Sequence, residues 1–547
     1  MQTLEKTDDL FSIHLTNGLM THRQAWTQQA QHLLPNELLE LVVELHEVFN
    51  PRRLQLLTAR QKRQAEYDAG AVPEFNRDEK APHRSEWHIN PIPKDLLKRR
   101  VEITGPVSSA KMVINMLNRN KGGIRADMAM LDFEDSMKPD WVNVLNGIEN
   151  VKAAIEGKLS YDDPSKDKKY RLNAEDHAKV MVRIRGLHLD ESNLQIDGQP
   201  ISGGLLELVS VLYHTAKIQL AQGKTPKFYV PKIEHYLEAR YWNDLFVAIQ
   251  QGLGLPEGSL RATFLIETLP AAFQIEEILY ELREHIVGLN VGRWDKIFSD
   301  IKVLRNHPDR IMADRATITM GKSWMENYAK RLIKLCHAHG AMAIGGMSAF
   351  TPGSDPQQRQ IQTERVIADK ANEARLGHDG CWVSHPYFIG PALDQFKQDN
   401  QLDKQLDDFD LYPDLLPKSE GAITLEGLRT NIRVGIAYQK GWNEGIGCVA
   451  WDGLMEDLAT LEISRTQIWQ WLKNAVRLED GRTVNTALIG EVFKQEHQRI
   501  VDELIERLEG AELIRQIKAF DQARQDAEAL FTNEQFKEFL SLASELA

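Results

Sequence analysis

The chain is poor in cysteine, carries no excess of positive charge and has no long apolar run. Three cysteines, Cys336, Cys381 and Cys448, are spread over 547 residues, too few and too scattered for a disulfide framework or a closed zinc site. A reduced compartment is expected. The formal net charge is −13 and no Lys/Arg block interrupts the acidic balance, so the basic footprint that nucleic acid or an anionic membrane surface requires is missing. Neither partner is expected, although local basic residues leave room for anionic small molecules. No segment approaches the length of apolar chain that spans a bilayer, and Glu5, Asp8 and Asp9 stand where a signal peptide would need a basic start. The final Ser544-Glu545-Leu546-Ala547 is not a peroxisomal Ser-Lys-Leu address. The cytoplasm is the expected location.

Several catalytic motifs are missing too. No dinucleotide-binding glycine fingerprint, Walker loop, His-Glu-x-x-His or Gly-x-Ser-x-Gly occurs, which leaves nucleotide-cofactor, zinc-protease and nucleophile-elbow chemistry unsupported.

What is present is a large, well-patterned soluble core. The length allows one large domain with appendages, or three or four domains of about 100–200 residues. Residues 1–100 read as an N-terminal helical extension, with Leu38, Leu39, Leu41, Val42, Leu45 and Val48 at helical spacing. From residue 101 to 390 the texture changes to short apolar runs separated by longer amphipathic stretches. The runs are Val101–Val107, Ala126–Phe133, Lys179–Ile184, Phe228–Ile233, Ala262–Glu267, Ile286–Val291, Ala341–Gly345 and Cys381–His385. Such runs spaced by helices imply parallel strands buried on both faces. Eight of them in a stretch near the about 250 residues of a typical TIM barrel predict an α/β fold closed as a (β/α)8 barrel. Insertions are expected around Ser160–Asp176 and Asp190–Gly203, and an open doubly wound sheet is the alternative. Residues 391–423 read as a connecting segment and 424–547 as a C-terminal all-helical domain, in which Thr532 and Gln535 form a capping-box signature for a last helix.

In a barrel, chemistry belongs at the C-terminal ends of the strands. Reading those exits gives Asp132, Glu134 and Asp135; Arg183 and Arg185; Lys232 and Glu234; Glu267; Asp295; a Gly345-Gly346-Met347 turn; and His385-Pro386. Charged strand ends are commonly no more than solvated caps. Glu267 and Asp295, however, end adjacent strands, and two oxygen ligands with room for water and substrate suit Mg²⁺. Arg183 and Arg185 alternate, so only one can point inward. That inward guanidinium either neutralises the acidic cluster one strand earlier or stabilises an oxyanion. His285, His337, His339 and His385 read as structural.

At these residues a resemblance enters. The stretch Arg283-Glu284-His285-Ile286-Val287-Gly288-Leu289-Asn290-Val291-Gly292-Arg293-Trp294-Asp295 resembles the signature of the A-type malate synthases. Val101–Val107, Asp132–Ser136, Arg183–His188, Leu265–Pro270 and Gly453–Asp457 resemble the same family in its order. The resemblance implies Mg²⁺-dependent condensation of acetyl-CoA with glyoxylate and water to malate and CoA, in the glyoxylate bypass. By matching positions it implies that Glu267 and Asp295 hold the metal and that backbone N–H groups around Gly292, Trp294 and Asp295 hold glyoxylate. Arg183 becomes the catalytic arginine, also contacting substrate, and Asp457 the base. Glu134 and Asp135 would support the metal waters, and His385 and Pro386 are candidates for CoA contact. The residues alone also allow Glu456 and Asp457 to be plain acidic caps of a helix N-terminus, which would keep Asp457 ionised.

The sequence departs from the family pattern at Lys296, where a tyrosine is usual, at Leu458 and Leu461, where alanines are usual, and at Asp452. These departures bear on substrate preference and rate. Two other readings are a malyl-CoA or citramalyl-CoA lyase or thioesterase on the same barrel, and a non-catalytic CoA-binding homologue. A homo-oligomer is left open.

Overall fold

A computed structural model describes residues 11–540; the expectations for Glu5, Asp8, Asp9 and for Ser544 to Ala547 lie outside the described residues. Eight parallel strands close a barrel in chain order: Val101–Pro106, Met128–Asp132, Lys179–Arg183, Lys227–Val230, Arg261–Ile266, Ile286–Val291, Met342–Ser348 and Gly380–Val383. Each matches one of the eight apolar runs to within a few residues. The last strand returns to the first, with Cys381, Trp382 and Val383 opposite Val101, Glu102 and Ile103. The sheet therefore has no free edge, and the open-sheet alternative is overturned.

Alternate residues on each strand serve two cores. Met128, Met130, Met181, Tyr229, Leu265, Val287, Met342, Ile344 and Trp382 fill the barrel interior, where flexible methionines take up irregular space. Their neighbours Ala129, Leu131, Val180 and Val182 face the outer helices. Gly345 and Gly346 do not form a turn. They lie inside the seventh strand, where a Cβ on Gly345 would meet the Glu373 carboxylate at 2.5 Å and one on Gly346 the Val291 carbonyl oxygen at 2.9 Å.

Both expected insertions are hairpins, Ser160–Asp163 with Lys168–Arg171 and Asp190–Ile196 with Gln199–Ser202. The second is extended by two N-terminal strands, Phe11–His14 and Leu19–His22, into a four-stranded antiparallel sheet. The first hundred residues are thus not purely helical. Asn17 and Gly18, with φ of +42° and +80°, make the turn, a pair suited to left-handed hairpin geometry. Beyond them the helix Asn36–Asp68 buries Leu38, Leu39, Val42 and Leu45 while Val48 stays exposed.

The C-terminal helices Leu425–Asn443, Leu458–Lys473, Thr486–Ile505 and Gly510–Phe531 enclose a separate core around Ile432, Leu461, Trp471 and Phe493. One hairpin, Val449–Trp451 with Leu454–Glu456, interrupts them, and its turn residues Asp452 and Gly453 have φ of +44° and +84°. Asp452 is a turn former that also accepts a 2.8 Å bond from Arg433. Thr532 opens no helix among the described residues. It caps the end of Gly510–Phe531, its hydroxyl donating to the Glu528 carbonyl at 2.7 Å. The chain then runs as a non-helical strap: Phe539 packs on His188 and Phe298, Glu538 pairs with Arg305 at 2.6 Å, and the Leu540 N–H donates to Glu462 at 2.7 Å. The strap ties the helix Leu458–Lys473 to the barrel helix Arg293–Val303. Among the described residues no helix is long and apolar enough to cross a membrane.

Candidate active site

The charged strand exits converge at one mouth of the barrel. Arg183, ending the third strand, donates from Nε and Nη2 to the two carboxylate oxygens of Asp132, each at 2.6 Å. Its Nη1 lies 3.5 Å from both Glu134 and Asp135. Arg185 points the other way, to Glu207 at 2.5 Å and Glu191 at 2.8 Å, behind the sheet. The alternation separates the two arginines as pleating requires. Both roles open for the inward guanidinium are compatible, since Arg183 neutralises Asp132 and also lines the cleft.

Glu267 and Asp295 leave the fifth and sixth strands into the same cleft. Gly292 makes their approach feasible, because a Cβ there would stand 2.5 Å from the Glu267 Cβ and 3.0 Å from its Oε2. Gly292 also opens the helix Arg293–Val303 without a side-chain cap, so the first-turn N–H groups, including those of Trp294 and Asp295, have no intrahelical acceptor. Between the carboxylates stands Lys232, read from the sequence only as a strand-exit charge. Its Nζ lies 2.7 Å from Asp135, 3.0 Å from Asp295, 3.4 Å from Glu134 and 3.6 Å from Glu267.

Asp457 reaches this cleft from the C-terminal domain. It is the N-cap of Leu458–Lys473 in a reciprocal capping box with Thr460, so the cap reading is right as far as it goes. The next N–H, that of Leu458, donates 3.2 Å to the backbone carbonyl of Asp135, which fixes the cap over the barrel mouth. Glu456 is turned away and paired with Arg315 at 2.5 Å.

The electrostatics are unbalanced. Among the described residues, Glu134 Oε1, Glu267 Oε2 and Asp295 Oδ1 are buried and accept no hydrogen bond, a costly state for a folded protein. Burial and the neighbouring Asp135 carboxylate push Glu134 well above the ordinary carboxylate range. Burial does the same to Asp295, outweighing the nearby Lys232. Asp132 is the opposite case: burial raises it, but the Arg183 guanidinium prevails and holds it low. Lys232 is penalised by burial, yet Asp135, Asp295, Glu134 and Glu267 hold its ammonium well above the usual lysine range. Asp457 is raised to about 7, by burial first and Asp135 second. The helix N-terminus therefore does not keep it at an ordinary carboxylate value, as the sequence had suggested.

The cleft lining also includes apolar residues, Pro106, Met112, Leu265, Met347, Trp382 and Met455, and Cys448. Pro106, Trp382 and Met455 lie in stretches that the sequence marked as strand runs or family-like motifs, but none of them, nor Met112, was read as a cleft residue; Pro106 could have been found as the exit of the first strand. Ser384 lines the cleft, whereas His385 and Pro386 do not. His385 accepts from the Tyr387 N–H at 3.1 Å, and the Pro386 carbonyl accepts from Asn120 at 3.0 Å. The family departures also lie off the cleft: Lys296 is buried against Asp300 at 2.5 Å, and Leu458 and Leu461 belong to the C-terminal core. His285 bonds to Gln250 and Asn243, His337 to Asp379, and His339 stacks on Trp87, which are structural placements.

Family models match the chain in three consecutive parts: the malate synthase N-terminal domain over residues 20–80, the malate synthase TIM barrel domain over 179–412 and the malate synthase C-terminal region over 422–545. The chain belongs to the malate synthase family. It is an enzyme, and malate synthesis is its activity. The malate synthase of Myxococcus xanthus is 44% identical over 523 residues, covering 94% of each chain. Malate synthase A of Escherichia coli is 41% identical over 534 residues, covering 96% of this chain and 98% of its own. A solved structure of the Haloferax volcanii malate synthase in a pyruvate/acetyl-CoA ternary complex covers 77% of this chain and 98% of its own at 16% identity, with a TM-score of 0.46.

Proposed function

We propose that this cleft condenses acetyl-CoA with glyoxylate and water to give malate and CoA, with Asp457 as the base and Arg183 as the cation that stabilises the enolate. The observation carrying the reading is the docking of Asp457 across the barrel mouth, through the Leu458 N–H to the Asp135 carbonyl, into one cleft with Arg183, Glu267 and Asp295. A carboxylate raised to about 7 is a better match for proton abstraction at neutral pH than an ordinary aspartate. It takes a proton from the acetyl methyl group, and the adjacent guanidinium, held rigid on Asp132, offers charge to the thioester oxygen as it becomes an enolate. The rigidity matters because a preorganised donor needs no reorientation during the step.

Glu267 and Asp295 fit a divalent ion. Glu267 Oε2, Asp295 Oδ1 and the nearby Glu134 Oε1 accept no hydrogen bond among the described residues, and these hard donors share a single ammonium, that of Lys232. Among the described residues no three His, Cys, Asp or Glu side chains form a metal cage. Mg²⁺ does not need one, since it usually takes one or two carboxylates and completes its shell with water and substrate oxygen. When bound, Mg²⁺ would act as a Lewis acid on the glyoxylate carbonyl. The uncapped helix start at Gly292, Trp294 and Asp295 suits the glyoxylate carboxylate. Asp135 and Glu134 would hold metal waters. The apolar part of the lining, which includes exposed Met112, suits the acyl-pantetheine arm, with His385 and Pro386 as rim candidates for CoA. Three unpaired cysteines agree with a reducing compartment such as the cytoplasm.

Thiol release from acetyl-CoA on adding glyoxylate tests the reading. CoA should appear one-for-one with malate in Mg²⁺ and stop in EDTA. Undiminished release in EDTA would remove the metal from the scheme, and release without malate would remove the condensation.

A further inference from the structure

Lys232 is the most unusual residue of the cleft that the mechanism above leaves without work. Its backbone has φ of +55°, a left-handed conformation that residues with a Cβ rarely adopt and that tends to persist where it serves a site. Both ends of the residue are pinned. Its N–H donates to Glu267 Oε1 at 2.8 Å, and its carbonyl accepts from Arg60 Nη2 at 2.7 Å. The strained backbone thus aims a fully buried ammonium at four carboxylates from three different strand exits, two of which are the proposed metal ligands. The pairing is uneven: Asp135 at 2.7 Å and Glu134 at 3.4 Å accept hydrogen bonds from the ammonium, whereas Asp295 at 3.0 Å and Glu267 at 3.6 Å are ion-pair contacts without one.

We propose that Lys232 is a built-in counter-cation of the metal site, an ammonium that shares Glu267 and Asp295 with the divalent ion and yields them to it by withdrawing onto Asp135 and Glu134. The inference rests on the assignment of Glu267 and Asp295 as the Mg²⁺ ligands. Its logic is electrostatic. A cation bound at about 2.0–2.1 Å from those oxygens and an ammonium at 3.0–3.6 Å from the same residues repel each other at short range in a poorly screened interior. The backbone, held by Glu267 and Arg60, cannot move without losing both bonds, so the side chain must. The flexible four-carbon stem allows this, and Asp135 already holds its stronger bond. Between metal-binding events the ammonium keeps mutually repelling carboxylates assembled, and the cost is a weaker hold on the incoming ion.

The inference predicts that removing the ammonium tightens Mg²⁺ binding. In calorimetric titration of the full-length enzyme with Mg²⁺ alone, Lys232→Met should lower the dissociation constant at least tenfold relative to wild type. The metal-free variant should also melt at a lower temperature and gain more from saturating Mg²⁺. Unchanged or weaker Mg²⁺ binding in the variant, with wild type binding normally, overturns the role of Lys232 and leaves the metal ligands standing. Absence of Mg²⁺ binding in wild type overturns the ligand assignment itself. Should Lys232→Met fail to fold, a crystal structure of the wild-type enzyme with Mg²⁺ decides the matter. The ammonium should then lie beyond the ~4 Å ion-pair limit from Glu267 and Asp295 and remain bonded to Asp135, and contact with both ligands beside a bound ion would refute the withdrawal.

Discussion

Two buried polar networks lie within the same barrel, one around Arg99 in its interior and one at its mouth. In the interior, Arg99 donates to Glu102 at 2.6 Å, to Tyr229 at 2.8 Å and to Thr263 at 2.9 Å, while the Trp382 indole N–H donates to Glu102 at 2.9 Å. One cation meets one carboxylate, and among the described residues none of these side chains has an orphaned polar atom. At the mouth, Asp132, Glu134, Asp135, Glu267 and Asp295 share Arg183 and Lys232 as their ion-pair partners among the described residues; Glu134 Oε1 and Asp295 Oδ1 face the Lys232 ammonium without a hydrogen bond, and Glu267 Oε2 has neither. Burial does not distinguish the networks, since Glu102 and Glu267 are equally inaccessible. Charge balance does. A neutral, saturated network fixes the fold, whereas a surplus of buried carboxylate gives folding nothing and is retained for chemistry. Trp382 links the two, with its N–H in the interior network and its ring 5.8 Å from the Arg183 guanidinium carbon.

The mouth network can be broken in function alone. Asp457→Asn should lower turnover by about 10²–10⁴-fold, the usual contribution of a general base, and abolish exchange of the acetyl methyl protons, while glyoxylate and Mg²⁺ still bind. Exchange at the wild-type rate would remove Asp457 as the base. Stability separates the two networks as well. Arg99→Met strands Glu102 in the core and should cost about 3–5 kcal/mol in chemical denaturation. Glu134→Gln, which removes one surplus charge at the mouth, should leave stability unchanged or raise it. Equal losses in the two variants would mean that charge balance does not separate the networks.

A pH profile gives a smaller effect from the same imbalance. Asp457, with its value near 7, must be deprotonated to act. Turnover should therefore be level above that value and fall about tenfold per pH unit below it. A profile flat down to pH 5 would mean that Asp457 stays ionised in the working enzyme, or that another step limits the rate.

Much of this was legible in the chain because the physics is local. Strands buried on both faces read as apolar runs, charged residues at their ends read as a barrel mouth, and Arg183 and Arg185 separate by pleating alone. The turns Asn17-Gly18 and Asp452-Gly453 carried a hairpin signal that helical periodicity masked. Other features depend on contacts across the fold. The left-handed turn at Lys232 is held by Glu267 and Arg60, both distant in sequence, so nothing around Pro231-Lys232-Ile233 announces it. Arg99 and Glu102 look like ordinary charges flanking a strand. The place of Asp457 over the mouth is set by the docking of one domain on another, and only the family resemblance supplied it in advance.

The smallest expected effect concerns the departures from the family pattern. Leu461 is fully buried in the C-terminal core, while Ala459, on the same helix, lines the cleft. Leu461→Ala should therefore cost about 2–5 kcal/mol of stability, as truncation of a core leucine does, and leave the ratio of glyoxylate to pyruvate activity unchanged. A shift in that ratio would mean that packing beneath the base helix moves Asp457 enough to alter which 2-oxo acid is accepted. The helix would then transmit core volume to the site, and the separation drawn here between residues that hold the fold and residues that meet the substrate would fail at this helix first.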